Sequence, residues 1–121
     1  MIIVDTSVWI DYFRHDDPAF ADIIAHEDVA LHAYVWGELL LGGVPLGGEV
    51  AQQLQILPQP PIASSVEASA FIAWASLVGT GIGYVDAHLL ISAKLSPNGR
   101  VLTRDKKLRV QAKRLDLAYE S

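Results

Sequence analysis

The chain has 121 residues, of which 51% are hydrophobic and 19% are charged, and it contains no cysteine. This length and composition predict one globular domain with a hydrophobic core and exclude a chain that is disordered or coiled-coil throughout. The lack of cysteine excludes disulfides, thiolate metal sites and a cysteine nucleophile. The apolar runs are too short to cross a membrane and the N-terminus lacks the basic start of a signal peptide, so we expect a cytoplasmic protein with no membrane partner.

The formal charge of the chain is −5, but the charges are unevenly distributed. Before Lys94 the chain carries eleven acids and a single base, Arg14, whereas the part from Lys94 onward carries eight bases and three acids. The total charge argues against a nucleic-acid partner. The basic last quarter argues the other way, because phosphates respond to the local field of clustered charges rather than to their sum over the chain.

Short apolar segments alternate with helical patterns along the chain. Strands are predicted at residues 1–4, 29–32, 100–103 and 117–119, with a further short strand at 56–57. Helices are predicted from residue 6 or 7 past residue 13, from 18 to about 27, and at 34–41, 49–54, 64–78, 85–95 and 105–115. This alternation predicts an α/β fold, as a single domain over residues 1–121, with a central parallel sheet of four to five strands and helices on both faces.

Two aspartates follow closely on predicted strands. Asp5 comes directly after Ile2–Val4, and Asp105 comes directly after residues 101–104. In an open parallel sheet ligands bind beyond the carboxyl ends of the strands, which is where both aspartates are expected to lie. Each could equally be an ordinary N-cap of the following helix, so these two residues alone do not separate a structural from a functional role.

Two further acids lie on helix faces that are mainly apolar. Glu38 lies beside Val35 and Leu41 on its helix, and Asp86 lies beside Leu90. An unpaired carboxylate on such a face is costly, which favours a functional role. The structural alternatives are a glutamate at the rim of the core and an aspartate that complements the dipole of the helix it begins.

These four acids point to a metal site if they converge. Carboxylates at close range repel and raise each other's pKa, and a divalent cation removes that repulsion. Hard oxygen ligands without cysteine or a histidine pair favour Mg²⁺ or Mn²⁺ over Zn²⁺. Ions held in this way can activate water and stabilise an in-line phosphoryl displacement. The candidate catalytic and metal-binding residues are Asp5, Glu38, Asp86 and Asp105.

The acids lie within four stretches of the sequence: residues 3–11 (IVDTSVWID), Glu38, residues 83–90 (GYVDAHLL) and residues 102–108 (LTRDKKL). In the order and spacing of these stretches the chain resembles the VapC family, which comprises PIN-domain ribonucleases that act as toxins in type II toxin–antitoxin pairs. The resemblance covers nearly the whole chain. It implies a PIN-like fold and hydrolysis of RNA phosphodiester bonds, in tRNA or ribosomal RNA, that leaves a 5′-phosphate and a 3′-hydroxyl.

The resemblance also implies roles for individual residues. The acidic site of the family corresponds to Asp5, Glu38, Asp86 and Asp105, which are expected to hold Mg²⁺ or Mn²⁺, with the hydroxyls of Ser7 and Thr103 orienting carboxylates or water. Asp11 recurs in the opening motif and is expected to be structural or peripheral. Many relatives carry a further acid where this chain has residues 106–108 (KKL), so a second metal ion is less certain than a first. A cognate VapB-type antitoxin and a homodimer are the implied protein partners.

A run of basic residues begins beside Asp105. The predicted contacts to RNA phosphates are Arg104, Lys106, Lys107 and Arg109. If these residues bind RNA, the affinity should fall as the salt concentration rises. The structural alternative is a solvated helix face, which is the commoner meaning of a charge run.

Two segments carry more apolar surface than a small core needs. Residues 65–78 are apolar nearly all round, whereas a surface helix usually has a polar face, so we expect a contact with a second subunit or an antitoxin. Residues 39–41, with Val44 and Leu46, are expected to contribute to an antitoxin groove. His88 lacks convincing ligand spacing and is interpreted as a packing residue.

Two functions other than a ribonuclease share features with this sequence. A phosphoacceptor receiver domain shares this size and alternation, but no aspartate occurs between Val29 and Val85, where a receiver needs one. A PIN-like module that binds RNA or a protein partner without cleaving is disfavoured by the intact set of acids and stays open as the alternative.

Overall fold

A computed structural model describes residues 1–120 of the chain. Its sheet contains three parallel strands, β1 (Ile2–Val4), β2 (Val29–Ala30) and β3 (Arg100–Leu102), in the order β2-β1-β3. All three side chains of β1 are buried. Because successive side chains of a strand point to opposite faces, both faces of the sheet must be covered. This confirms the predicted parallel α/β architecture with helices on both faces.

Seven helices surround the sheet in the described part of the chain. They are α1 (Thr6–Arg14), α2 (Pro18–His26), α3 (Ala33–Leu41), α4 (Glu49–Gln55), α5 (Ser65–Trp74), α6 (Tyr84–Leu95) and α7 (Lys106–Arg114). Helix α6 packs on β1 and β3, and α1 packs on α3. None of the helices within residues 1–120 is long and apolar enough to span a membrane.

The sheet has fewer strands than the four to five predicted. The segment 117–119 lies parallel to β3 but forms only an isolated bridge at Val101, so it extends the sheet without becoming a strand. The predicted strand at 56–57 follows the end of α4, and only the carbonyl of Pro58 accepts a hydrogen bond from the backbone of Leu31, at 2.9 Å. Hydrogen bonds of Val101 with Leu117 and Tyr119 extend one edge of the sheet, and the Leu31–Pro58 hydrogen bond extends the other, because the apolar segments are too short to add a regular ladder.

Helix α5 ends earlier than the sequence pattern predicts. It stops at Trp74, and Ser76 takes a left-handed conformation with φ of 55°. The N–H of Leu77 then donates to the carbonyl of Ile72 at 3.0 Å, which closes the helix in the manner of a Schellman turn. The apolar pattern continues to residue 78, but the left-handed residue breaks the helical path.

Candidate active site at the carboxyl edge of the sheet

The parallel pairing of β1 and β3 brings the predicted strand-end acids to one edge. The backbone N–H of Asp5 donates to the carbonyl of Leu102 at 2.9 Å, and the Asp5 side chain is only 8% exposed. Asp5 is the N-cap residue of α1, yet its side chain makes no capping hydrogen bond. Its carboxylate is therefore directed to other partners.

Two hydroxyls hold the carboxylate of Asp5. Thr103 Oγ1 donates to Asp5 Oδ2 at 2.7 Å, and Ser7 Oγ donates to the same oxygen at 3.3 Å. Thr103 Oγ1 also accepts the backbone N–H of Asp105 at 3.0 Å. Both predicted supporting hydroxyls thus hydrogen-bond to Asp5. Thr103 also links Asp5 to Asp105, because its hydroxyl contacts the Asp5 carboxylate and the Asp105 backbone.

Asp105 also caps a helix. Its Oδ1 accepts the backbone N–H groups of Lys107, at 2.8 Å, and Leu108, at 3.1 Å, at the start of α7. The capping alternative weighed for Asp105 is therefore realised, in contrast to Asp5. This cap fixes the direction of the Asp105 carboxylate at the same edge of the sheet.

Glu38 is held by a residue that sequence reasoning missed. Thr6 Oγ1 donates to Glu38 Oε1 at 2.7 Å and so links α1 to α3. Thr6 was interpreted only as a possible helix start. Its position next to Asp5, at the beginning of a helix on the same sheet edge, was the one available signal.

Asp86 is the third residue of α6, and it shows that the four acids influence one another. The pKa of Asp86 is raised to about 6, first by burial and then by the negative charges of Asp5, Asp105 and Glu38, while the Gly83 N–H hydrogen bond opposes the rise. That N–H donates to Asp86 Oδ2 at 3.4 Å. Asp86 therefore lies within electrostatic range of the other three predicted acids.

The donor set suits a hard divalent cation, although no cage is preformed. Among residues 1–120 no three acidic or histidine side chains are already arranged as a metal-binding group. Carboxylate oxygens are the ligands that Mg²⁺ and Mn²⁺ prefer, and the raised pKa of Asp86 records charge repulsion that such a cation would relieve. The residues therefore fit the cation chemically, and their side chains must close around it.

Arg104, a predicted RNA contact, is engaged within the protein. Its guanidinium donates to Asp11 at 2.9 Å and forms a second ion pair with Asp17. The Phe20 backbone N–H and the Arg104 guanidinium lower the pKa of Asp17, and the hydrogen bonds to Asp17 and Asp11 raise the pKa of Arg104. This clamp joins the loop before Asp105 to α1 and to the start of α2, and it gives Asp11 a structural partner.

The other three predicted RNA contacts lie on α7 with their side chains exposed: Lys106, Lys107 and Arg109. Arg109 Nη2 donates to the carbonyl of Thr103 at 3.3 Å. The side chain of Lys107 lies against Gly81, where an added Cβ would come within 3.1 Å of the Lys107 Cδ. Gly81 also has a φ of +84°, a conformation that favours glycine. Glycine therefore suits this position for two reasons: its backbone conformation and its lack of a side chain. The basic side chains thus surround Asp105 and the loop before Asp86.

An apolar groove of about 250 Å³ lies between α1 and the segment that follows α3. Its lining includes Ile10, Phe13, Leu39, Val44 and Val50. Leu39 and Val44 were predicted for such a groove. Leu41 and Leu46 lie outside this lining and are exposed, with 91% exposure for Leu41.

The comparisons with known proteins agree with this architecture. The sequence matches the PIN domain family over residues 2–114. It is 37% identical over 109 residues to Ribonuclease VapC32 of Mycobacterium tuberculosis, which covers 90% of this chain and 88% of the relative.

Two solved structures have the same fold. One is a toxin–antitoxin complex from Klebsiella pneumoniae, with a TM-score of 0.66, 20% identity and 88% of each chain covered. The other is FitAcB from Neisseria gonorrhoeae, with a TM-score of 0.65, 24% identity, and 98% of this chain and 95% of the other covered. The family match over residues 2–114 and the 37% identity to Ribonuclease VapC32 show that the chain belongs to the PIN-domain family, in its VapC branch.

Proposed function

We propose that this protein is a cytoplasmic endoribonuclease toxin that hydrolyses RNA phosphodiester bonds with Mg²⁺ or Mn²⁺ and is neutralised by a cognate antitoxin. The observation that carries the proposal is the grouping of Asp5, Glu38 and Asp105 near Asp86, where their charges add to burial in raising the pKa of Asp86. The 37% identity to a named ribonuclease supports the same activity. The RNA is tRNA or ribosomal RNA, as the resemblance implies.

In the proposed mechanism the chain supplies an acidic frame for the cation. The residues that hold it are Asp5, Glu38, Asp86 and Asp105. The bound cation would favour ionisation of the attacking water and offset the charge on the reacting phosphate. Ser7 and Thr103 orient the carboxylate of Asp5, and Thr6 orients that of Glu38, so hydrogen bonds support two of the proposed ligands.

The basic residues of α7 are the proposed phosphate contacts. Lys106 and Lys107 have exposed side chains, and Arg109 hydrogen-bonds the carbonyl of Thr103, next to Asp105. They would bind the RNA backbone on either side of the cleaved bond without reading its sequence. We assign Arg104 to positioning of the loop, because two aspartates already neutralise its charge.

We infer two protein partners from the apolar surfaces. The groove lined by Phe13, Leu39 and Val44 suits an apolar antitoxin segment, and the solved toxin–antitoxin relative supports a partner of this kind. The exposed Val66, Trp74 and Val78 of the α5 region are the proposed contact with a second copy of the chain. Exposed apolar side chains that cluster on one element are typical of an interface.

The test uses purified protein and mixed cellular RNA, with Mg²⁺, with Mn²⁺ and with a chelator. We expect cleavage that needs the cation and is lost in Asp5→Asn. Asp22→Asn is the matched control, because it removes an aspartate charge from an exposed position of α2 that, within residues 1–120, forms an ion pair only with the exposed His26. Cleavage that survives both the chelator and Asp5→Asn would refute the mechanism.

A second measurement does not depend on activity. Titration calorimetry with MgCl₂ should detect binding to the wild type and to Asp22→Asn, and weaker or absent binding to Asp5→Asn. RNA binding without cleavage under any of these conditions would instead support the alternative function, a PIN-like module that binds RNA or a partner without cutting.

A further inference from the structure

Two exposed tyrosines flank one buried histidine beside the acidic site. The ring centroid of Tyr34 lies 4.8 Å from that of His88, at an interplanar angle of 73°, and the ring of Tyr84 lies 4.6 Å away at 81°. His88 is 1% exposed, and neither of its ring nitrogens has a hydrogen-bond partner among residues 1–120. Tyr34 and Tyr84 are 36% and 53% exposed. The histidine therefore acts as a buried support between two surface rings.

Both tyrosines lie near the predicted acids on the same two helices. Tyr34 lies one turn before Glu38 on the same face of α3, since residues four apart share a helix face. Tyr84 is the first residue of α6, and Asp86 is the third. The two rings are therefore displayed at the border of the acidic site rather than on a distant surface.

The rings are held in place before any ligand arrives. Tyr34 also contacts the ring of His32, at 5.1 Å, and its backbone N–H donates to His32 Nδ1 at 3.0 Å. Edge-to-face contacts of this kind favour defined ring orientations. Fixed rings lose little conformational entropy when a planar group stacks on them.

We propose that Tyr34 and Tyr84 form a stacking platform for an unpaired nucleobase of the RNA, next to the phosphate held at the acids. This inference rests on the proposed ribonuclease function. Tyrosine rings stack on bases of any sequence, because every base offers a π face. Because Tyr34 lies one turn from Glu38 and Tyr84 two residues before Asp86, a nucleotide with its phosphate at the acids would present its base toward these rings. The platform therefore selects single-stranded or splayed RNA over a continuous duplex, in which the bases are stacked on each other.

The test measures binding of a short single-stranded oligoadenylate and of a series in which each base in turn is replaced by an abasic site. All measurements use the Asp5→Asn background, so that RNA is not cut, at one fixed salt concentration. Tyr34→Leu and Tyr84→Leu should lower the affinity about 5- to 150-fold. Tyr34→Phe and Tyr84→Phe should stay close to the parent, because the π face remains. Tyr12→Leu, which removes a tyrosine ring outside this cluster, is the control.

The abasic series separates stacking from a general loss of structure. In the Asp5→Asn parent, an abasic site at one or two positions of the oligoadenylate should lower the affinity by the same factor as the leucine substitutions do. In the leucine variants, an abasic site at these positions should not lower the affinity further. If the leucine variants bind the oligoadenylate as tightly as the parent, the proposed platform is wrong. This holds even if the same variants bind a protein partner more weakly. An abasic penalty that persists in them would overturn it as well.

Failure of the platform and failure of the proposed function are distinguishable. If the wild type cleaves RNA and the leucine variants bind normally, the ribonuclease stands and the platform falls. If the tyrosines govern binding of the oligoadenylate but the wild type cuts no RNA, the platform stands and the ribonuclease falls.

Discussion

The protein contains two polar clusters, one buried within the fold and one partly exposed at the edge of the sheet, that differ in how completely they are satisfied. In the first, His32 Nε2–H donates to Ser92 Oγ at 3.0 Å, and Ser92 Oγ–H donates to the carbonyl of Pro61 at 2.6 Å. His32 Nδ1 accepts the N–H of Tyr34 at 3.0 Å. Every nitrogen and hydroxyl of this cluster has a partner within the fold, so it needs nothing from outside.

The acidic cluster is oriented but not neutralised. Hydroxyls and backbone N–H groups orient its four carboxylates, yet the pKa of Asp86 is raised to about 6, first by burial and then by the charges of the other three acids. Hydrogen bonds can direct a carboxylate, but only a cation can remove the repulsion among several of them. The comparison shows that a buried network whose polar groups are all hydrogen-bonded stabilises the fold. A cluster of carboxylates that are oriented but still repel one another indicates a site for a ligand.

The largest expected effect comes from Asp86→Asn. Cleavage should fall about 10³-fold, because a carboxylate ligand of the cation is lost. Metal-free stability at pH 7 should rise by about 1–2 kcal/mol, a value discounted for solvent screening, because the native state no longer holds an ionised Asp86 among other acids.

The pH dependence of that gain follows from the direction of the pKa shift. The pKa of Asp86 is raised from 3.8 to about 6, so the native state binds its proton more tightly and the penalty is present above pH 6. The gain should shrink as the pH falls from 6 toward 4. Urea unfolding with chelator, at several pH values, measures it, and lower metal-free stability of Asp86→Asn would contradict the repulsion.

The next effect is the acid sensitivity of the satisfied cluster. Burial and, to a smaller extent, the nearby His88 lower the pKa of His32 from 6.5 to about 4. Between these values the unfolded chain binds a proton that the native state does not, so about 2–3 kcal/mol of stability should be lost as the pH falls from 6.5 to 4. The wild type should show this loss relative to His32→Gln in urea unfolding, and parallel pH profiles of the two proteins would refute it.

Ser92→Ala should lower the free energy of unfolding by about 1–3 kcal/mol, because the N–H of His32 and the carbonyl of Pro61 both lose their partner. Binding of Mg²⁺, measured by calorimetry, should not change. Ser69→Ala is the matched control, since its hydroxyl bonds the Ser65 carbonyl at an exposed position and its loss should cost less than about 0.5 kcal/mol. Equal destabilisation by the two variants would mean that the network adds nothing.

The smallest effect concerns Arg104, whose charge is already paired. Arg104→Gln should cost about 0.5–1 kcal/mol of stability and leave the salt dependence of RNA binding unchanged. Lys106→Gln should reduce the slope of log affinity against log salt by about 0.7. Filter binding at several salt concentrations compares the two, and a flatter slope in Arg104→Gln would restore Arg104 as an RNA contact.

Much of the site was predictable because it depends on local pattern. Asp5 and Asp105 follow β1 and β3, and parallel pairing of those strands brings their carboxyl ends together. The supporting hydroxyls of Ser7 and Thr103 are near neighbours of these acids in sequence. The four carboxylates, the alternating fold and the basic α7 could therefore be proposed from the sequence, although their roles in catalysis and metal binding stay predictions.

The contacts that join distant segments were not predictable. Thr6 and Glu38 are 32 positions apart, and Arg104 reaches Asp11 across 93 positions. No local propensity records which polar side chains meet when α1, α3 and the loop after β3 pack together. For the same reason the sequence assigned Arg104 to RNA, whereas the fold pairs it with two aspartates.

The sequence by itself determined the order of strands and helices, the family and the identity of the acids, because periodicity, caps and motif spacing act over a few residues. Only the tertiary structure decided that Asp5 is freed from capping while Asp105 is not, that the sheet has three strands, and that Tyr34 and Tyr84 share His88. These outcomes depend on long-range packing. The same packing decides which buried charges are satisfied within the fold and which are left to a ligand.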